Sequence, residues 1–175
     1  MKKIKVLTGL VALCFMIMLL PELKAEAAGA PKVAVKLLED KVTPDDDIME
    51  TITYRIKNNS DQNLTVLAYG VGTFYDDESG EGGIMSYRTQ SGKNVTIKPG
   101  KSKKVTMITH QGWVSMHVPA KGDSFTRSEL YYKYNGKRYY GSYNAVDGVG
   151  KKLKADGGIT EITDDTYAVV KDWWS

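Results

Sequence analysis

Leu130-Tyr131-Tyr132-Lys133-Tyr134-Asn135-Gly136-Lys137-Arg138-Tyr139-Tyr140-Gly141 is the stretch on which the fold turns. Asn-Gly between two aromatic-rich runs is a strong local sign of a two-residue β-hairpin. A type I′ turn needs positive φ at both central residues, and Asn and Gly adopt it at least cost. Placing Tyr134 opposite Lys137 sets the register. Tyr132 then pairs with Tyr139 and Leu130 with Gly141 on one face, and Lys133 with Arg138, Tyr131 with Tyr140 and Glu129 with Ser142 on the other. A strand alternates its side chains, so the Leu130 face is expected in the core. The opposite face presents two phenols beside an ammonium and a guanidinium.

Upstream, the same period of two recurs. In Thr51-Ile52-Thr53-Tyr54-Arg55-Ile56-Lys57, alternation puts Ile52, Tyr54 and Ile56 on one face and turns Thr53, Arg55 and Lys57 to water. Asn58-Asn59-Ser60-Asp61 ends that strand with residues whose short polar side chains satisfy a turning backbone. Leu64 to Tyr75 reads as one strand, with Gly70 and Gly72 marking a bulge or a bend. Val95–Lys98 and Val105–Thr109 read as two strands around a Pro99-Gly100 hairpin corner, the Lys101–Lys104 run lying at its edge. Trp113 to Val118 alternates as well. From Asn144 onward the chain reads as a loop followed by a closing strand at Tyr167-Ala168-Val169-Val170, with Trp173-Trp174 docking the terminus. The expectation is an all-β, single-domain antiparallel sandwich.

At the other end, Met1-Lys2-Lys3-Ile4-Lys5, the apolar run Val6–Leu20 and Ala25-Glu26-Ala27 have the three parts of a secretory signal peptide. The apolar run falls short of the roughly 20 residues that span a bilayer. Cleavage is expected after Ala27, dividing the chain into a leader, 1–27, and one domain, 28–175. The whole chain has 175 residues and a net charge of +3. Loss of four lysines and two glutamates with the leader lowers that to +1. Such a balance does not suit a nucleic-acid binder. Cys14, the single cysteine, leaves with the leader, so no disulfide, thiolate ligand or cysteine nucleophile is expected in the secreted chain.

Arg55–Val66, followed by Val95–Val105 with its Pro99-Gly100 corner, resembles immunoglobulin-like domains of exported Gram-positive proteins. The likeness covers about residues 50–110. It implies an immunoglobulin-like β-sandwich of the cysteine-free kind, used as a binding module, an inhibitor-like module or an extracellular antigen, and it transfers no catalytic residue.

Chemistry-bearing patterns are sparse. Gly100-Lys101-Ser102 has Val95 where a phosphate-binding loop needs glycine. His110 and His117 lack the further ligands of a zinc site, and no glycine elbow surrounds Ser115. The Asp76–Gly83 loop, with Asp76, Asp77, Glu78 and Glu81, has the oxygen donors calcium needs without the EF-hand spacing, and reads first as a solvated acidic turn. Asp45-Asp46-Asp47 and Asp164-Asp165 read the same way. The sequons at Asn58, Asn63 and Asn94 have no role in a bacterial host. No catalytic residue, metal or cofactor is expected.

The candidate ligand-binding residues are therefore Tyr131, Lys133, Arg138 and Tyr140. Their aromatic area and directed donors suit an envelope polymer, a carbohydrate or a protein. The same cross-strand tyrosines also serve simply to hold a sheet together. The expected function is non-enzymatic binding by a secreted protein at or beyond the cell envelope. The alternative is a membrane-active, toxin-like protein whose tyrosines and tryptophans enter the lipid interface.

Overall fold

The computed structural model describes residues 29–42, 48–75, 82–110, 125–144 and 149–174. They form eleven strands and a helix: β1 (Val33–Val42), β2 (Ile48–Asn58), β3 (Leu64–Val66), β4 (Tyr69–Tyr75), β5 (Gly82–Thr89), β6 (Val95–Ile97), β7 (Ser102–His110), β8 (Phe125–Tyr134), β9 (Lys137–Asn144), β10 (Lys152–Leu153), β11 (Ala155–Ile162) and α1 (Asp164–Asp172). The expected leader at residues 1–27, Asp45-Asp46-Asp47, the acidic segment 76–81, and the Trp113–Val118 run with His117 lie outside the described residues. Among the described residues no helix is long and apolar enough to cross a membrane.

The fold is all-β and antiparallel. One half-sheet runs β10-β1-β2-β7, and the other joins β6 and β3, then β8, β9 and β11, with β4 following β3 along the same side of β8. β5 pairs with β4 and with β7, linking the two halves. The order β1-β2-β7-β5 on one side and β4-β8-β9 on the other makes a sandwich-like arrangement in which β5 belongs to both halves. Val35, Ile52, Tyr54, Ile56 and Met107 from one half meet Leu64, Val66, Leu130, Tyr132 and Tyr143 from the other in a single core.

The hairpin has the register that its turn dictates, Tyr134 opposite Lys137 and Leu130 opposite Gly141. Asn135 and Gly136 have φ of 51° and 77°, as a type I′ turn requires. Leu130, Tyr132 and Tyr139 are buried. On β2, Ile52, Tyr54 and Ile56 are buried and Arg55 and Lys57 exposed. Thr53 departs from the expectation of a water-facing residue. It is buried opposite Thr106 on β7, the two hydroxyl oxygens 3.1 Å apart, so its polar atom is satisfied across the strand pair instead of by solvent.

Pro99-Gly100 does form a turn, closed by the Lys101 N–H donating to the Lys98 carbonyl at 3.1 Å, with Gly100 at φ 69°. It is not a hairpin corner. β6 pairs with β3 and β7 with β2, so the turn carries the chain from one half-sheet to the other. Gly100 N–H donates to the Asn58 carbonyl and Asn58 N–H to that of Lys101, pinning the crossing to the end of β2.

The expected single strand from Leu64 to Tyr75 breaks at Leu67-Ala68, where its outer neighbour changes from β6 to β5 while β8 stays on the other side. Gly72 serves a different purpose from a bend. A Cβ there would lie 2.3 Å from Cε2 of the buried Tyr87. Gly72→Ala is expected to lower the unfolding free energy by about 2 kcal/mol through overpacking. Urea denaturation checks this, and Tyr87→Leu in the same chain should recover part of the loss.

The C-terminus departs from expectation as well. Tyr167-Ala168-Val169-Val170 lies within α1, not in a closing strand. Thr163 caps the helix by accepting the Thr166 N–H at 3.2 Å, and Asp164 and Asp165 sit in the first turn, where carboxylates complement the helix dipole. The closing strand is β11, antiparallel to β9, with a register shift between Asp156 and Ile159 where Gly157 and Gly158 take φ of 75° and 82°.

Candidate functional site

Besides Glu129 opposite Ser142, the outer face of the β8–β9 hairpin carries two rows of side chains nearer the turn. Lys133 pairs with Arg138, and this row extends to Thr65 on β3 and Ile162 on β11. Tyr131 pairs with Tyr140, and this row extends to Thr160 on β11.

α1 folds onto the second row. Leu67, Val71, Tyr131 and Val170 form a separate buried cluster, against which Tyr69, Tyr140, Ile162 and Tyr167 pack. The helix is held at both ends. Arg138 Nη1 donates to Asp164 Oδ1 at 2.5 Å, and the Arg138 guanidinium lies 5.3 Å from the Tyr167 ring centre. The Tyr69 N–H donates to Tyr167 Oη at 3.1 Å. Farther along, Ser86 Oγ donates to the Trp173 carbonyl at 3.2 Å, and the Arg88 guanidinium lies 4.8 Å from the Trp174 ring centre. Trp174 is thus docked on the sheet, while Val169 and Trp173 keep 51% and 37% of their surface in solvent.

The four candidate residues are brought together, but they do not share one open surface. Tyr131 is buried, contrary to the reading of this face as presented to solvent, because the helix covers its ring. It stacks on Tyr140 at 6.0 Å and tilts against Tyr167 at 5.6 Å between ring centres. Its hydroxyl donates to Glu129 Oε2 at 2.6 Å, and burial followed by that carboxylate pushes the phenol far above its usual range. Lys133 is exposed, and Arg138 and Tyr140 are half-buried at the margin of the helix.

What stays open is a ledge made of Lys133, the rims of Arg138 and Tyr140, and two threonines that the sequence reading did not single out. Thr65 and Thr96 lie next to each other on β3 and β6, their hydroxyl oxygens 3.3 Å apart, with Thr96 exposed. They are legible only once β3 is known to lie between β6 and β8. The ledge offers an ammonium, a guanidinium already shared with Asp164, hydroxyls and the flank of one phenol. This set donates hydrogen bonds and stacks on flat groups. Among the described residues, no three His, Cys, Asp or Glu side chains gather as a metal site.

No protein-family model matches this chain, and no curated protein matches it. Among solved structures, the Northeast Structural Genomics Consortium target SoR45 is 17% identical with a TM-score of 0.31, over 77% of this chain and 81% of its own. A Bordetella pertussis protein given the name ApaA is 12% identical with a TM-score of 0.30, over 77% and 94%.

Proposed function

We propose that the chain is a secreted, non-enzymatic binding protein that acts at or beyond the cell envelope through the ledge of Lys133, Arg138 and Tyr140, flanked by Thr65 and Thr96. The observation that carries this reading is the placement of cationic and hydroxyl donors on a hairpin whose reverse side is core. Leu130, Tyr132 and Tyr139 lock the strands from below, and Tyr131 backs Tyr140 from the side. The backbone under these donors is fixed in this way, and the Arg138 guanidinium is already held by Asp164, so less freedom is lost on binding. A polymer rich in hydroxyls and anionic groups suits them best, as envelope polysaccharides are. The lysine-led, apolar N-terminus supports export, and the sandwich-like arrangement supports kinship with the immunoglobulin-like domains of exported proteins.

The test is co-sedimentation with insoluble cell-wall material. Lys133→Ala/Tyr140→Ala is expected to weaken pelleting about tenfold, the effect of roughly 1.4 kcal/mol lost at the surface, with an unchanged circular dichroism spectrum. Tyr131→Phe should bind as the parent does. Wild-type pelleting by the double variant would remove the ledge as the ligand surface.

The exposed Val169 on α1 and Trp173, the residue that caps its end, lie four residues apart and favour membrane association as a second reading. Dye release from vesicles, lost in Val169→Ser/Trp173→Ser, would support it. Intact vesicles across lipid compositions would dismiss it.

A further inference from the structure

We infer that the seam between β10 and β11 binds an anionic, single-chain amphiphile, its apolar tail in the groove between the half-sheets and its head among three lysines. On one side of the sandwich β5 is hydrogen-bonded to both halves. On the other side β10 belongs to β1, β11 belongs to β9, and only Lys154 lies between these two strands in sequence. The half-sheets part there around a groove of about 450 Å³. That volume lies within the range of roughly 300–1,000 Å³ found for small-ligand clefts.

The lining divides by chemistry. Val33, Val35, Tyr143, Leu153, Ala155 and Ile159 make the floor and walls. Lys32, Lys152 and Lys154, all exposed, stand at the rim, and no Asp or Glu is among the described residues that line the groove. Two carboxylates lie near these lysines and outside that lining: Asp156, exposed on β11, and Asp61, whose carboxyl Lys32 helps to lower. The register adds a second observation. Lys36 on β1 lies directly opposite Lys152 on β10, a like-charge pairing that works against the strand pair. An anion held at the rim would offset it. An apolar slot whose only charged lining residues are three lysines, beside the neutral Asn59, selects a ligand with an apolar tail and a negative head, and rejects the same tail with a positive one.

Isothermal titration of the leader-free chain, residues 28–175, which contains every described element, tests this with dodecanoate and dodecyl phosphate below their critical micelle concentrations. Dodecyltrimethylammonium and phosphatidylglycerol vesicles are the comparators. The expected result is saturable 1:1 binding of both anions, at least tenfold tighter than that of the cation. Lys32→Glu/Lys152→Glu/Lys154→Glu should weaken dodecanoate at least tenfold without lowering the melting temperature, and Ala155→Phe should abolish binding by filling the groove. Neither change should alter pelleting with wall material, which keeps this site separable from the ledge. Absence of 1:1 binding, equal affinity for the cation, indifference to the lysine reversals, or binding to vesicles alone would overturn the proposal.

Discussion

Raising the pH from 10 to 11 is expected to remove about 3 kcal/mol of stability through three phenols alone. Tyr132 and Tyr143 face each other in the core with their hydroxyl oxygens 2.9 Å apart. Burial pushes Tyr132 well above the ordinary phenol range and Tyr143 up to about 12, and Tyr131 is raised by burial and by Glu129. Each group keeps its proton in the folded chain and releases it near pH 10 once unfolded. Above pH 10 the unfolded state therefore binds fewer protons, and the free energy of unfolding falls. The contribution is fully present below pH 10 and is lost as the pH rises, for Tyr143 up to about 12. Urea melts at pH 9, 10 and 11 measure the slope, and absorbance near 295 nm should show these three phenols ionising only as the chain unfolds. In Tyr132→Phe/Tyr143→Phe the loss between pH 10 and 11 should shrink by about 2 kcal/mol. A parent protein with no slope above pH 10 would mean that the core phenols reach solvent without unfolding.

Asn58→Ala is the substitution expected to cost most, about 3–4 kcal/mol. Asn58 is fully buried at the end of β2. Its Nδ2 donates to the carbonyls of Gln62 at 2.7 Å and Ile97 at 3.0 Å, and its Oδ1 accepts the Ser60 N–H at 2.9 Å. One side chain thereby closes the 58–62 turn and ties it to β6 on the facing half-sheet. Alanine leaves those partners without the side chain that satisfied them, at about 1–3 kcal/mol for each one that stays buried. Asn58→Asp is expected to be worse at neutral pH, since it sets a carboxylate oxygen against two carbonyls. The midpoint of urea unfolding checks both. An alanine variant within 1 kcal/mol of the parent would show that water takes over these bonds. Tyr134 Oη, donating to Asp61 Oδ1 at 2.5 Å, holds the same turn from the hairpin side and keeps the Asp61 carboxyl below its ordinary range.

What could be read from the sequence was local. Asn135-Gly136 determines the hairpin register because the turn has two residues and the faces alternate, so no distant residue is needed. The all-β class follows from the same period along β2. Pairing between distant strands is another matter. Val95–Ile97 and Val105–Thr109 look like partners because they are neighbours in the chain, yet β6 goes to β3, and nothing within either strand encodes that choice. At the C-terminus the β-branched and aromatic character of Tyr167-Ala168-Val169-Val170 favours a strand. The capping threonine and two acidic residues just before it outweigh that preference, and the signal was there to be read at Thr163-Asp164-Asp165. The same ambiguity reaches the candidate site. Alternation alone puts Tyr131, Lys133, Arg138 and Tyr140 on one face, but the strand-like composition of α1 hides the helix that buries Tyr131. Asn58 was legible as a turn former and not as a buried tie, because its partner carbonyl on Ile97 lies 39 residues away.

The way β5 joins the half-sheets has a mechanical consequence. Parting the sandwich at β5 requires breaking main-chain ladders to β4 or β7, whereas at β10 and β11 the half-sheets are joined by the covalent chain itself, through Lys154 alone. One long edge is stitched by hydrogen bonds and the other by a single-residue link. Ladders can open and re-form bond by bond, but a link of one residue cannot lengthen, so the two half-sheets can swivel about Lys154 and cannot separate there.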